Sequence, residues 1–106
     1  MMTDLGFIRV ASAVPVTRVA SVSYNVSEVC RLTEEAVNQE VSLIVFPELN
    51  ITGCSCGDLF YQNLLITETE NGISRIVESS IEKDIVIVVG APVQMNGRLY
   101  DCAVVI

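Results

Sequence analysis

Apolar residues in this chain gather into short blocks whose period changes along the sequence, and the changes mark the elements. Phe7 to Val14 is an almost unbroken apolar run interrupted by Arg9 and Ser12, which suits a central strand halted by Pro15. From Asn25 the period becomes helical. Val26, Val29, Cys30, Thr33, Ala36 and Val37 make one stripe, while Glu28, Arg31, Glu34 and Glu35 fall mostly off it. Asn25 with Glu28 three residues on reads as a capping box, so the spacing predicts a helix over 26–39. Ser42 to Phe46 is a second apolar block, ended by Pro47. Strand, helix and strand together predict a right-handed crossover between parallel strands.

Beyond a polar stretch at 47–57, Asp58 can cap a short helical turn through Leu59, Phe60, Leu64 and Leu65. Thr67 with Glu70 offers a second capping box, predicting a helix over 68–82 with Ile73, Ile76, Val77 and Ile81 inward and its start weakened by Gly72. Ile85 to Val89 is a third buried strand, continuing through Gly90-Ala91-Pro92 toward Met95. Asn96-Gly97 is a hairpin signal that turns the chain antiparallel into 98–106. The last apolar block, Ala103 to Ile106, has no polar finish, so the expectation is an N-terminal portion of a longer polypeptide.

Composition sharpens this α/β picture. Hydrophobic residues make up 51% of 106 positions, yet no apolar run approaches the roughly 18–20 residues of a membrane span. The excess belongs to strands that need cover on both faces, which points to packing against further protein or a second copy, and so to a homo-oligomer. A net charge of −7 argues against nucleic-acid or anionic-membrane partners, which require clusters of Lys and Arg. The N-terminus lacks the basic and long apolar regions of a secretory signal, so the expected location is cytoplasmic.

Histidine is absent, which removes Ser-His-Asp and Cys-His relays and imidazole acid/base chemistry. Cys30, Cys54, Cys56 and Cys102 are too few and scattered for a disulfide scaffold, and Cys54-Ser55-Cys56 is spaced more tightly than zinc ligands, so all four read as reduced thiols with no metal. The glycines form neither a dinucleotide fingerprint nor a phosphate loop, so no cofactor is expected in this segment.

The feature left standing is Phe46-Pro47-Glu48: a carboxylate directly behind a buried strand, where open α/β sheets place their chemistry. Glu48 is a candidate active-site acid or base. On spacing alone it reads more readily as a turn residue in water, since most acidic residues are exposed.

Together, Gly6-Phe7-Ile8-Arg9-Val10-Ala11, Phe46-Pro47-Glu48-Leu49 with Thr52-Gly53, and Cys56-Gly57-Asp58-Leu59-Phe60 resemble the nitrilase superfamily, and more narrowly the glutaminase domains of glutamine-dependent NAD synthetases. The resemblance spans essentially the whole chain and implies the N-terminal portion of an α-β-β-α sandwich. It also implies a catalytic Glu, Lys and Cys, with the Glu at Glu48, its carboxyl raised toward neutrality in a partly dry pocket so that it can take the proton of a Cys attacking glutamine. The ammonia released would pass to a synthetase domain that uses ATP and Mg to amidate deamido-NAD.

The family's Lys and nucleophilic Cys lie downstream of the hairpin, so Lys83 and the four cysteines are not those residues, and the chain alone is expected to be inactive. Cys54 stands where the family often has Tyr, making it a candidate substrate contact. Asp58 is a candidate for the pocket or tunnel wall, though it reads more readily as a helix cap. A stand-alone amidase or carbamoylase uses the same Glu, and a small non-catalytic α/β interaction module would make Glu48 structural.

Overall fold

A computed structural model describes residues 6–57, 59 and 62–106. Their elements run β1 (Val10–Ser12), α1 (Val22–Asn38), β2 (Leu43–Val45), α2 (Asn63–Ser80), β3 (Val86–Met95) and β4 (Arg98–Val105). The strands form one sheet in the order β1-β2-β3-β4. β1, β2 and β3 are parallel, in the register Val10↔Leu43↔Val86, and β4 returns antiparallel on β3 from Met95↔Arg98 to Val88↔Val105.

The hairpin follows its sequence signal, with Asn96 and Gly97 both at positive φ (53° and 76°), as a type I′ turn requires. The parallel strands confirm the βαβ reading, although β1 is three residues long rather than eight.

One face of the sheet is covered by both helices. Ile44, Phe46, Ile87, Val89 and Ala91 meet Val22, Val26 and Val29 of α1 and Leu65 and Ile76 of α2 in one buried cluster. The other face carries Val10, Val45, Val86 and Val105 in solvent, Val105 at 69% exposure. The apolar excess in the composition therefore sits on an uncovered sheet face, and the described layers are two, helix on sheet.

Both helices start earlier than the spacing predicts. α1 opens at Val22 behind Ser21, and Asn25 lies inside it. Instead of capping the helix, the buried Asn25 amide joins three segments. Its Oδ1 accepts from the Arg18 backbone N–H at 2.8 Å, and its Nδ2 donates to the Arg18 and Ile51 carbonyls at 2.8 and 2.9 Å. Glu28, the other half of the expected box, pairs with Arg31 at 2.6 Å.

Asn25→Ala removes three hydrogen bonds and takes this partner from the buried Ile51 carbonyl, while the Arg18 carbonyl keeps the Ser21 N–H. The expected cost is about 2 kcal/mol, a fall in Tm of roughly 8–16 °C for a domain of this size, read by thermal unfolding followed by circular dichroism.

α2 begins at Asn63, so Thr67 and Glu70 are interior, and the buried face is Leu65, Ile66, Thr69, Gly72 and Ile76. Val77 and Ile81, expected inward, are exposed at 43% and 74%. Gly72 explains the rotation. A Cβ there would come within 2.7 Å of Val26 Cγ2 and 2.9 Å of Val22 Cγ1, so the missing side chain is what lets α2 lie close on α1.

Candidate functional site

β2 is halted by Pro47, which has no N–H to continue a ladder. The chain then makes a compact turn: the Asn50 N–H donates to the Pro47 carbonyl (3.3 Å), and those of Thr52 and Gly53 to the Leu49 carbonyl (3.2 and 2.7 Å). Leu49 is held at φ 50°, a left-handed conformation that leucine adopts at a cost of about 1–2 kcal/mol. Strain of that size persists where the surroundings fix the backbone.

Here β3 does the fixing. Phe46 is the last residue to donate to β3 in strand fashion, its N–H reaching the Val88 carbonyl at 2.9 Å. At the next position the turn takes over: Ile51 N–H donates to the Gly90 carbonyl at 3.1 Å. The buried Asn50 side chain completes the exchange, its Oδ1 accepting from the Gly90 N–H at 2.8 Å. An amide thus stands in for the strand that Pro47 ended. On the far side the Ala20 N–H donates to Thr52 O at 2.8 Å, and Asn25 holds Ile51.

Glu48 therefore projects from a turn clamped on both sides, at the carboxyl end of the parallel strands. It lines an open cavity of about 290 Å³ with Phe46, Pro47, Val88, Gly90 and Asp101. A larger cavity of about 440 Å³, between the start of α1 and the middle of α2, is lined by Glu68 and Arg75 and by no residue of this turn.

The Glu48 carboxyl is raised above the ordinary glutamate range. The first cause is its hydrogen bond with the Asp101 carboxyl, then the Asp101 charge, and last its slight burial. This corrects the expectation of a dry pocket: Glu48 is exposed, and a second carboxyl raises it. A weakly acidic carboxyl is a better base and returns a proton at pH values closer to neutral, which is what acid/base work asks of it.

Asp101 escaped the sequence reading. Alternation along β4 and the Asn-Gly turn together fix it opposite Pro92, but nothing in the spacing shows that the 47–53 turn lies against β3 at Gly90.

Cys54 lies beside Glu48, exposed, with Sγ 3.5 Å from the Glu48 carbonyl oxygen. Cys56 is buried, its thiol donating to the Thr52 and Gly53 carbonyls. All four cysteines are free thiols. Lys83 is at the opposite end of the sheet, where β3 begins, with Nζ 2.7 Å from Glu34 Oε2 of α1. Asp58, named from the sequence as pocket wall or cap, lies outside the described residues. Among those residues no helix is long and apolar enough to cross a membrane.

Comparison with known proteins agrees with this geometry. The chain is 35% identical over 101 residues to the glutamine-dependent NAD(+) synthetase of Mycobacterium leprae, covering 95% of this chain and 15% of the relative. It is 30% identical over 81 residues to the human glutamine-dependent NAD(+) synthetase, covering 76% of this chain and 12% of the relative. The crystal structure of a glutamine-dependent NAD(+) synthetase from Cytophaga hutchinsonii superposes with a TM-score of 0.87 at 29% identity, over 93% of this chain and 17% of that one. The chain thus spans about one seventh of the length of these relatives. The sequence profile of the carbon-nitrogen hydrolases matches residues 9–106, and with the nitrilase-type βαβ unit and a strand-end glutamate in place, the chain belongs to the carbon-nitrogen hydrolase family.

Proposed function

We propose that this chain supplies the general base of a glutamine amidohydrolase whose ammonia serves the ATP-dependent amidation of deamido-NAD to NAD. The observation that carries the reading is Glu48: a carboxyl raised by its neighbour, at the carboxyl end of the parallel strands, in a family of carbon-nitrogen hydrolases. The names of the relatives supply the substrate class.

On this reading a cysteine thiol gives its proton to Glu48 while its sulfur attacks the side-chain carboxamide carbon of glutamine. A lysine ammonium stabilises the oxyanion. Collapse expels ammonia, with Glu48 returning the proton to the leaving nitrogen. Glu48 then takes a proton from the water that cleaves the thioester to glutamate.

The lysine and the nucleophilic cysteine are contributed by sequence outside these 106 residues, as is the synthetase domain that receives the ammonia and uses ATP with Mg. Lys83 is tied to Glu34 at the wrong end of the sheet for the first role. Cys54, next to the Glu48 backbone, contacts the substrate rather than attacking it. The valine face of the sheet is covered in the working enzyme, by further protein or a second copy.

The test is an assay of the complete gene product with glutamine, ATP and deamido-NAD. Glutamate and NAD are expected to appear together, and the 106-residue chain alone is expected to release no ammonia. A complete gene product inert toward glutamine would overturn the proposal.

A further inference from the structure

We infer that Asn50 is the positioning residue of Glu48: its side-chain oxygen, bonded to Gly90 of β3, fixes the main chain from which the carboxyl reaches the cavity. This rests on the reading of Glu48 as the base of an amidohydrolase and adds to it a second residue, two places along the same turn.

Glu48 is exposed, so packing does not hold its side chain, and its placement has to come from the backbone that carries it. That backbone has little hold of its own. Phe46 makes the last strand-type donation, to the Val88 carbonyl, and Pro47 has no N–H to make another. Leu49, at φ 50°, is in a conformation that a leucine released from its surroundings leaves. Because Glu48 and Leu49 share a peptide bond, that relaxation would swing the carboxyl away.

Asn50 supplies the restraint. It is 2% exposed, and its Oδ1 accepts from the Gly90 N–H at 2.8 Å. The orientation of the amide follows, since only its oxygen can take a bond from an N–H. The bond falls where Glu48 itself rests on the sheet: a Cβ at Gly90 would lie 2.8 Å from the Glu48 carbonyl carbon. The Ile51 N–H, donating to the Gly90 carbonyl at 3.1 Å, holds the other side of the same glycine. Of these two bonds, the Asn50 one is made by a side chain and can be removed without touching the main chain.

One half of the amide carries the role. Nδ2 has no hydrogen-bond partner among the described residues, so what Asn50 contributes is a single acceptor oxygen at the right reach. Aspartate offers that oxygen in either protonation state. Leucine branches at the same atom and offers methyls in its place.

The test combines glutamine turnover with hydrogen–deuterium exchange in the complete gene product carrying Asn50→Leu or Asn50→Asp. In Asn50→Leu the Gly90 amide should exchange faster, while the Val86 amide, bonded to the Ser42 carbonyl at 2.9 Å near the start of the same strand, stays protected. The kcat/KM for glutamine should fall about 10²-fold, the scale of loss for a displaced reacting group. Asn50→Asp should recover most of that loss. On a Glu48→Gln background Asn50→Leu should cost nothing further, because no base is left to displace.

A purely structural role makes the opposite forecast: an equal fall on both backgrounds, from a smaller folded fraction. That result would overturn the proposal, as would wild-type turnover in Asn50→Leu or a Gly90 amide that stays protected there. If Asn50→Leu exposes Val86 along with Gly90, the sheet has unfolded and Asn50→Asp decides alone: turnover kept sustains the proposal, and turnover lost in a folded Asn50→Asp protein sinks it. A wild-type gene product inert toward glutamine would sink the amidohydrolase reading instead, and Gly90 exchange in Asn50→Leu would still report whether Asn50 seats the turn.

Discussion

Glu48→Gln in the complete gene product is expected to lower kcat/KM for glutamine by about 10²–10⁴-fold, the range typical of losing a positioned general base. Glutamine has the shape of glutamate and keeps the turn intact: the bonds that hold positions 47–53 run from the backbone and from Asn50 and Asn25, not from the Glu48 carboxyl. Folding should therefore survive, and a Tm no lower than that of the wild type is part of the prediction.

Nitrogen supplied as ammonium chloride bypasses glutamine hydrolysis altogether. NAD formation from ammonium should survive in Glu48→Gln while glutamine-dependent NAD formation fails. If both fail together, Glu48 acts on something other than glutamine cleavage; if neither fails, it is a turn residue in water.

Much of the architecture around Glu48 was legible in the chain because it is coded locally. Block length and Pro punctuation gave β2 its end, and the consecutive apolar run gave β3. Asn96-Gly97 fixed the hairpin because few residue pairs adopt positive φ twice in succession.

What was not legible depends on contacts between distant segments. Asn25 has the chemistry of a cap, yet its amide is used to tie Arg18 and Ile51 to the first turn of α1, and a helix that can start earlier leaves Asn25 inside. Gly72 looked like a weakness at a helix start. In the middle of α2 it is the point of closest approach to α1, worth more as packing than it costs as propensity.

The candidate site divides the same way. Glu48 was visible because it follows its strand directly, and Asp101 was not because it reaches Glu48 through a register that joins β2, a turn, β3 and β4. The raised carboxyl was expected from burial and arises from a neighbour, since the uncovered sheet face leaves Glu48 in solvent.

Gly90→Ala tests the part of the site that no local signal encoded, and it is expected to destabilise the fold by about 3 kcal/mol or more. A Cβ built at Gly90 runs into the backbone nitrogen of Leu49 and lies 2.5 Å from the Pro47 carbonyl oxygen and 2.8 Å from the Glu48 carbonyl carbon. Contacts that short must be relieved by movement, and the atoms in the way are main chain. At Gly72 the obstructing atoms are valine methyls, which smaller side chains at positions 22 and 26 could remove. No side-chain change offers that relief at Gly90.

The turn would have to lift from β3, breaking the Asn50 and Ile51 bonds to Gly90 and leaving buried polar groups without partners. Lifting the turn also carries Glu48 away from Asp101, so the variant should lose two things together: thermal stability, and the raised titration of Glu48. Gly97→Ala is the control. Its φ of 76° makes the substitution strained, but nothing lies within 4 Å of the new methyl, so stability should fall with Glu48 unmoved. A Gly90→Ala protein that melts with the wild type, its Glu48 resonances unshifted, would mean that the turn is not seated on β3.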